Sequence, residues 1–167
     1  MPPLRVAMPH RVWVAMTPVA DTNVLARFII GDDEAQEAAA IRVFEKPKVI
    51  IPTIVFCELA WVMRYSYRRT DSEIASAIRG VLKMKNVVVQ SGEVQAGLQM
   101  LDAGGDFADA AIAHTGSGMA KGGAVFTSFD KKAVRKLSAL GFAATTPVRA
   151  PSNDSPNSGG SGETEEE

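Results

Sequence analysis

Five carboxylates in four short stretches carry the chemistry that this sequence offers. Asp21 follows the apolar run PVA, Glu58 lies within TIVFCELAWVM, Asp106 and Asp109 share GGDFADAAIAH, and Asp130 closes the strand-like AVFTS of AVFTSFDKKA. Acidic oxygens gathered from separate segments suit a hard divalent cation, Mg²⁺ or Mn²⁺, which takes carboxylate and water ligands. The natural reaction of such a centre is phosphodiester hydrolysis, because the cation neutralises the phosphate, acidifies an attacking water and stabilises the leaving oxygen. Two histidines and the single Cys57 are too few for a conventional structural zinc site and exclude an internal disulfide.

Each acid also has an ordinary structural role open to it. Asp21, Asp106 and Asp130 stand where helices are expected to begin, and Asp is a common N-cap. Asp109, three residues after Asp106, falls in a first helical turn whose dipole favours carboxylates, although two like charges so close repel unless a cation intervenes. Glu58 lies in a stretch so apolar that burial is expected on every face, where it must be protonated, metal-bound or paired, for example with Arg64. Any one of these roles is unexceptional; four segments sharing the pattern favour a common site.

The elements that must position these residues alternate short apolar or β-branched runs with longer helical patterns, which predicts an α/β domain with a mainly parallel sheet. Strands are expected at 18–20, 49–51, 87–90, 124–127 and 142–145, and helices near 23–30, 33–45, 53–67, 71–84, 92–103, 107–119 and 130–139. Pro52 and Thr53 can open the third helix, Asp71 with Ser72 and Glu73 can cap the fourth, and Gly104-Gly105 ends the fifth. In open parallel sheets ligands collect beyond the carboxyl ends of strands, the place predicted for Asp21 and Asp130.

A chain of 167 residues with 46% hydrophobic content supports one core. One domain is expected over 16–147, preceded by a flexible extension at 1–15, where the natural start can lie at Met16, and followed by a disordered acidic tail at 148–167, whose PSNDSPNSGGSGETEEE lacks large apolar residues. The formal charge of -1 is uneven, since the five acids beyond residue 148 face Arg149 alone, leaving a small positive excess on the rest. Arg64, Arg68, Arg69, Lys83, Lys85, Lys131, Lys132, Arg135 and Lys136 are candidates for a surface that meets a polyanion. No run is long enough to span a membrane and no secretory signal is evident, so a cytoplasmic location is expected.

DTNVL at 21–25, CELAWV at 57–62, DFADAAIA at 106–113 and TSFDKKA at 127–133 resemble, in order and spacing, the signature of PIN-domain ribonucleases, and most nearly the VapC toxins of toxin-antitoxin pairs. The resemblance spans roughly residues 17–146. It implies a three-layer α/β/α domain with a central, mainly parallel sheet of four to five strands. It further implies that Asp21, Glu58, Asp109 and Asp130 form a catalytic site for Mg²⁺ or Mn²⁺, with Asp106 as an additional metal-site acid and Asn23 and Ser128 as supporting polar residues. The activity implied is metal-dependent endoribonuclease cleavage of tRNA or rRNA, by a homodimer that a cognate antitoxin blocks. TSFD departs from the usual compact TFD, leaving Thr127 or Ser128 for the hydroxyl role; Ser128 keeps the spacing to Asp130.

Two rival classes remain: a PIN-like interaction module that pairs with a partner but no longer cuts, and a phosphotransfer domain. The first is opposed by the complete acidic set, and the second by the missing second acid after Asp21. His114 invites a general-base role and Cys57 a nucleophilic one, but packing suits both better. Trp61, Met63, Tyr65 and Tyr67 can stack on bases, although helix packing or dimer contact is the commoner use.

Overall fold

The computed structural model describes residues 16–148, so the predicted extension and most of the acidic tail lie outside the described residues. Among the described residues, seven helices and four strands follow in the order α1 (Thr22–Ile30), α2 (Glu34–Phe44), β1 (Val49–Ile50), α3 (Thr53–Tyr65), α4 (Asp71–Leu82), β2 (Val87–Val88), α5 (Ser91–Asp102), α6 (Phe107–Met119), β3 (Phe126–Thr127), α7 (Lys131–Ala139) and β4 (Ala144–Thr145). All strand pairing is parallel, as the alternation of strand and helix requires.

The strands are shorter than expected, and among the described residues they do not join into one sheet of four to five strands. β1 pairs with β2, β3 pairs with β4, and the first predicted strand contributes only a bridge between Val19 and Ile50. Local chemistry accounts for these limits. Pro18 has no N–H to give a ladder, and Pro52 ends β1 for the same reason. Gln90, expected in a strand, instead turns its side chain so that Oε1 accepts from the Thr53 amide and hydroxyl, both at 2.9 Å. That contact supplies the cap that Pro52 cannot, and it anchors the start of α3.

The fourth helix begins at Asp71, as expected, but its cap lies one residue earlier than predicted. Thr70, not Asp71, is the N-cap, and Thr70 and Glu73 satisfy each other's backbone amides in a capping box. Gly104 adopts φ +68 just beyond α5, where its lack of a Cβ permits the left-handed turn that leads into α6.

Two cores meet at α5 and α6. The larger joins Leu25, Phe44, Val49, Phe56, Leu59, Ile78, Leu98 and Phe107, and the smaller packs Leu137 of α7 and Phe126 of β3 against Ala96, Met100 and Ala110. The α5–α6 approach is close because Gly97 faces the Phe107 ring: a Cβ there would stand 2.5 Å from ring carbons. This contact fixes the first turn of α6, the turn that carries Asp106 and Asp109.

Candidate active site

Three of the five acids line one cleft. Asp106, Asp109 and Asp130 share a cavity of about 420 Å³ with Arg64, Tyr65, Asp71, Lys132 and Lys136. Asp106 is the N-cap of α6 and Asp130 the N-cap of α7, so the ordinary role open to each is realised. Capping uses one oxygen only: Asp130 Oδ1 accepts from the Lys132 and Ala133 amides at 2.8 and 3.1 Å, and among the described residues no protein group bonds its Oδ2. A cap and a cleft ligand are therefore compatible functions of the same side chain.

Asp109 has no such role. Half-buried in the first turn of α6, it is held above the usual carboxylate range first by burial and then by the charges of Asp106 and Asp130. Asp106 is partly compensated, because its Oδ2 receives Arg64 Nη1 at 3.1 Å. The same guanidinium reaches Asp71 Oδ1 at 2.5 Å and the Gly105 carbonyl at 3.1 Å, tying α3 to α4 and to the turn before α6. Burial opposes its charge, but the bond to Asp71 and the charges of Asp71 and Asp106 prevail, and the Arg64 pKa is raised.

The other two acids are not among the residues that line this cleft. Asp21 caps α1, its Oδ1 accepting from the Val24 amide at 2.9 Å. Glu58 is exposed, contrary to the burial expected from its apolar helix, because α3 is covered by its neighbours on only part of its circumference and leaves Ile54, Trp61 and Tyr65 in solvent as well. Its expected partner Arg64 is engaged elsewhere; Glu58 accepts instead from the buried Thr22 hydroxyl at 2.5 Å. Thr22 thus links the Asp21 turn to α3. Sequence reasoning passed over it, although a hydroxyl directly after a strand-end acid was a usable signal.

The supporting residues separate. Ser128 Oγ accepts from the Asp130 amide at 3.1 Å, steadying the turn that presents that acid, whereas Thr127 bonds only the Val125 carbonyl. Asn23 is exposed and lines a different, apolar groove between α1 and α2. His114 packs against Gly92 with its Nδ1 buried and without a partner among the described residues, a packing position away from the cleft lining. The Cys57 thiol is pushed up by burial and then by the Asp106 charge, which makes it a poor nucleophile.

The donor chemistry of the cleft fits a hard divalent cation. Among the described residues no three acids stand close enough together to enclose an ion, so an all-protein cage is not what this arrangement offers. Mg²⁺ does not require one: it keeps several waters and is commonly held by one or two carboxylates together with substrate phosphate. Asp109 and Asp130, two repelling carboxylates in one cleft, meet that lesser requirement.

Parallel strands joined through helices, with acids at the turns that follow them, define a small α/β domain with an acidic cleft. A match to the PIN domain covers residues 19–139, and the chain belongs to that family. PIN domains are typically nucleases and usually use divalent metals. No curated protein matches the chain. Among the described residues no helix is long and apolar enough to cross a membrane.

Proposed function

We propose that this PIN domain is an endoribonuclease dependent on Mg²⁺ or Mn²⁺, and that it acts as the toxin of a VapBC-type pair. The observation that carries the catalytic reading is one cleft in which Asp106, Asp109 and Asp130 face Arg64, Lys132 and Lys136. A cation held by Asp109 and Asp130 would supply phosphate neutralisation and a water of lowered pKa. Lys132 forms no salt bridge among the described residues and is placed to attract the phosphodiester. Arg64 fixes Asp106, and Ser128 fixes Asp130, so both acids enter the reaction already oriented. The toxin role, the structured RNA target, the antitoxin and the homodimer rest on the DTNVL, CELAWV, DFADAAIA and TSFDKKA phrases.

A non-cutting interaction module is the competing reading. Two observations favour it: Asp106 is already paired with Arg64, and among the described residues no three acids stand close enough together to enclose an ion. The two readings separate in a cleavage assay of total RNA with Mg²⁺, Mn²⁺ or EDTA, using Asp21→Asn, Glu58→Gln and Asp109→Asn. Asn remains a good N-cap, so the change at Asp21 removes charge while preserving the start of α1. Discrete products from the parent protein, lost with EDTA and in the three variants, are expected. A well-folded parent protein that leaves RNA intact with either metal favours the interaction module.

A further inference from the structure

The exposed face of α3 carries an aromatic pair that the cleavage chemistry does not use. Ile54, Glu58, Trp61 and Tyr65 follow one another at helical spacing, and all four are exposed. Trp61 and Tyr65 keep 56% and 51% of their surface in solvent, with ring centroids 5.2 Å apart and planes inclined by 42°. Tyr65 lines the same cleft as Asp109, Asp130, Lys132 and Lys136, so the pair extends outward from the place where a phosphodiester would lie. The other aromatics nearby are differently employed: Phe56 is buried in the core, and the hydroxyl of Tyr67, just beyond the helix, donates to Asp32 at 2.7 Å.

We infer that Trp61 and Tyr65 form a stacking shelf for an unpaired base of the RNA whose phosphate enters the cleft. Aromatic faces accept any base, and exposed rings near basic side chains, here Lys132 and Lys136 of the cleft, are the usual means of holding single-stranded nucleic acid. A protein covering the whole stripe fits less well. The exposed Glu58 carboxylate lies between Ile54 and Trp61, and burying it under a partner would strip its water, whereas interface cores are depleted of charge. A single base seated on Trp61 and Tyr65 leaves Glu58 bonded to Thr22 and otherwise in solvent. The shelf would make an unpaired nucleotide beside the scissile bond a requirement of the substrate, without selecting its identity.

This inference rests on the nuclease reading, and its test distinguishes the two. Affinity for a short unstructured oligoribonucleotide is measured in EDTA, on the full chain and on Trp61→Ala, Tyr65→Ala and Trp61→Phe, with an abasic nucleotide placed at each successive position. Cleavage with Mn²⁺ and sedimentation are recorded in parallel. The expected result is binding about tenfold weaker or worse in either alanine variant, near-parental binding in Trp61→Phe, and one abasic position that reproduces the loss in the parent but adds nothing in Trp61→Ala. In cleavage KM should rise while kcat is kept. With the Trp13→Phe substitution, Trp61 is the one remaining tryptophan, and its fluorescence should be quenched by the intact oligonucleotide. RNA that binds equally well to parent and alanine variants overturns the shelf alone. Unchanged RNA affinity with a dimer that dissociates in Trp61→Ala assigns the face to a second copy of the chain. A parent protein that neither binds nor cuts RNA overturns both readings.

Discussion

At the scale of single residues, the acids divide by how much of their charge is already answered. Asp106 gives one oxygen to an amide and the other to Arg64, whereas Asp109 stands between burial and two like charges with no compensating donor among the described residues. Its raised folded pKa fixes a sign. The contribution of Asp109 to stability is fully present below the ordinary carboxylate pKa and is lost as pH rises through the raised value. Asp109→Asn, which has no charge to desolvate, should therefore gain stability relative to the parent as pH rises through the acid range, and the advantage should level off once the parental carboxylate is fully ionised. Urea unfolding of both proteins between about pH 3 and 7 in EDTA checks this. A difference that does not change with pH would mean that Asp109 is not strained by its surroundings. That strain was half legible in the sequence: the three-residue spacing to Asp106 announced the repulsion, but the nearness of Asp130, far along the chain, depends on how α7 packs.

Elements decide which of these charges meet. The seven helices were legible because their apolar periodicity is long and their breaks are chemically marked, and Gly104 ends α5 as the Gly-Gly step suggested. The strands were less legible: two-residue ladders leave little alternation to read, and the Gln90 side chain that caps α3 is an interaction across 37 positions. The N-cap of α4 was placed one residue late, at Asp71, although Thr70-x-x-Glu73 carries the full capping-box signature. The exposure of Glu58 was not legible either, because an apolar helix does not reveal which of its faces the rest of the chain will cover. The α5–α6 contact gives an element-scale prediction. Gly97→Ala would drive a Cβ against the Phe107 ring, and such overpacking costs about 1–3 kcal/mol. The urea midpoint should fall with the slope unchanged, and because Phe107 lies between Asp106 and Asp109, metal-dependent cleavage should fall beyond what lost stability explains. A variant as stable and active as its parent would show that the two helices can separate without disturbing the cleft.

For the molecule as a whole, the candidate cleft is a seam between α6 and α7, which the smaller core joins. Asp109 belongs to α6, which joins both cores, while Asp130 belongs to α7, whose Leu137 packs only in the smaller one. A cation that bridges them would bind the folded chain and not the unfolded one, so it should stabilise by mass action: about 2.7 kcal/mol when its concentration is a hundred times the dissociation constant. Melting with increasing Mn²⁺ should then show a midpoint that climbs by several degrees, while Asp109→Asn melts at a temperature indifferent to the metal. Arg64→Ala sharpens the test. Removing the guanidinium leaves Asp106 and Asp71 uncompensated, which should lower the metal-free midpoint and enlarge the rise with Mn²⁺, because the freed Asp106 adds a carboxylate to the cleft. If Arg64→Ala loses stability but gains no metal response, Asp106 serves only to join α3 to the start of α6, and the cation is held by Asp109 and Asp130 without it.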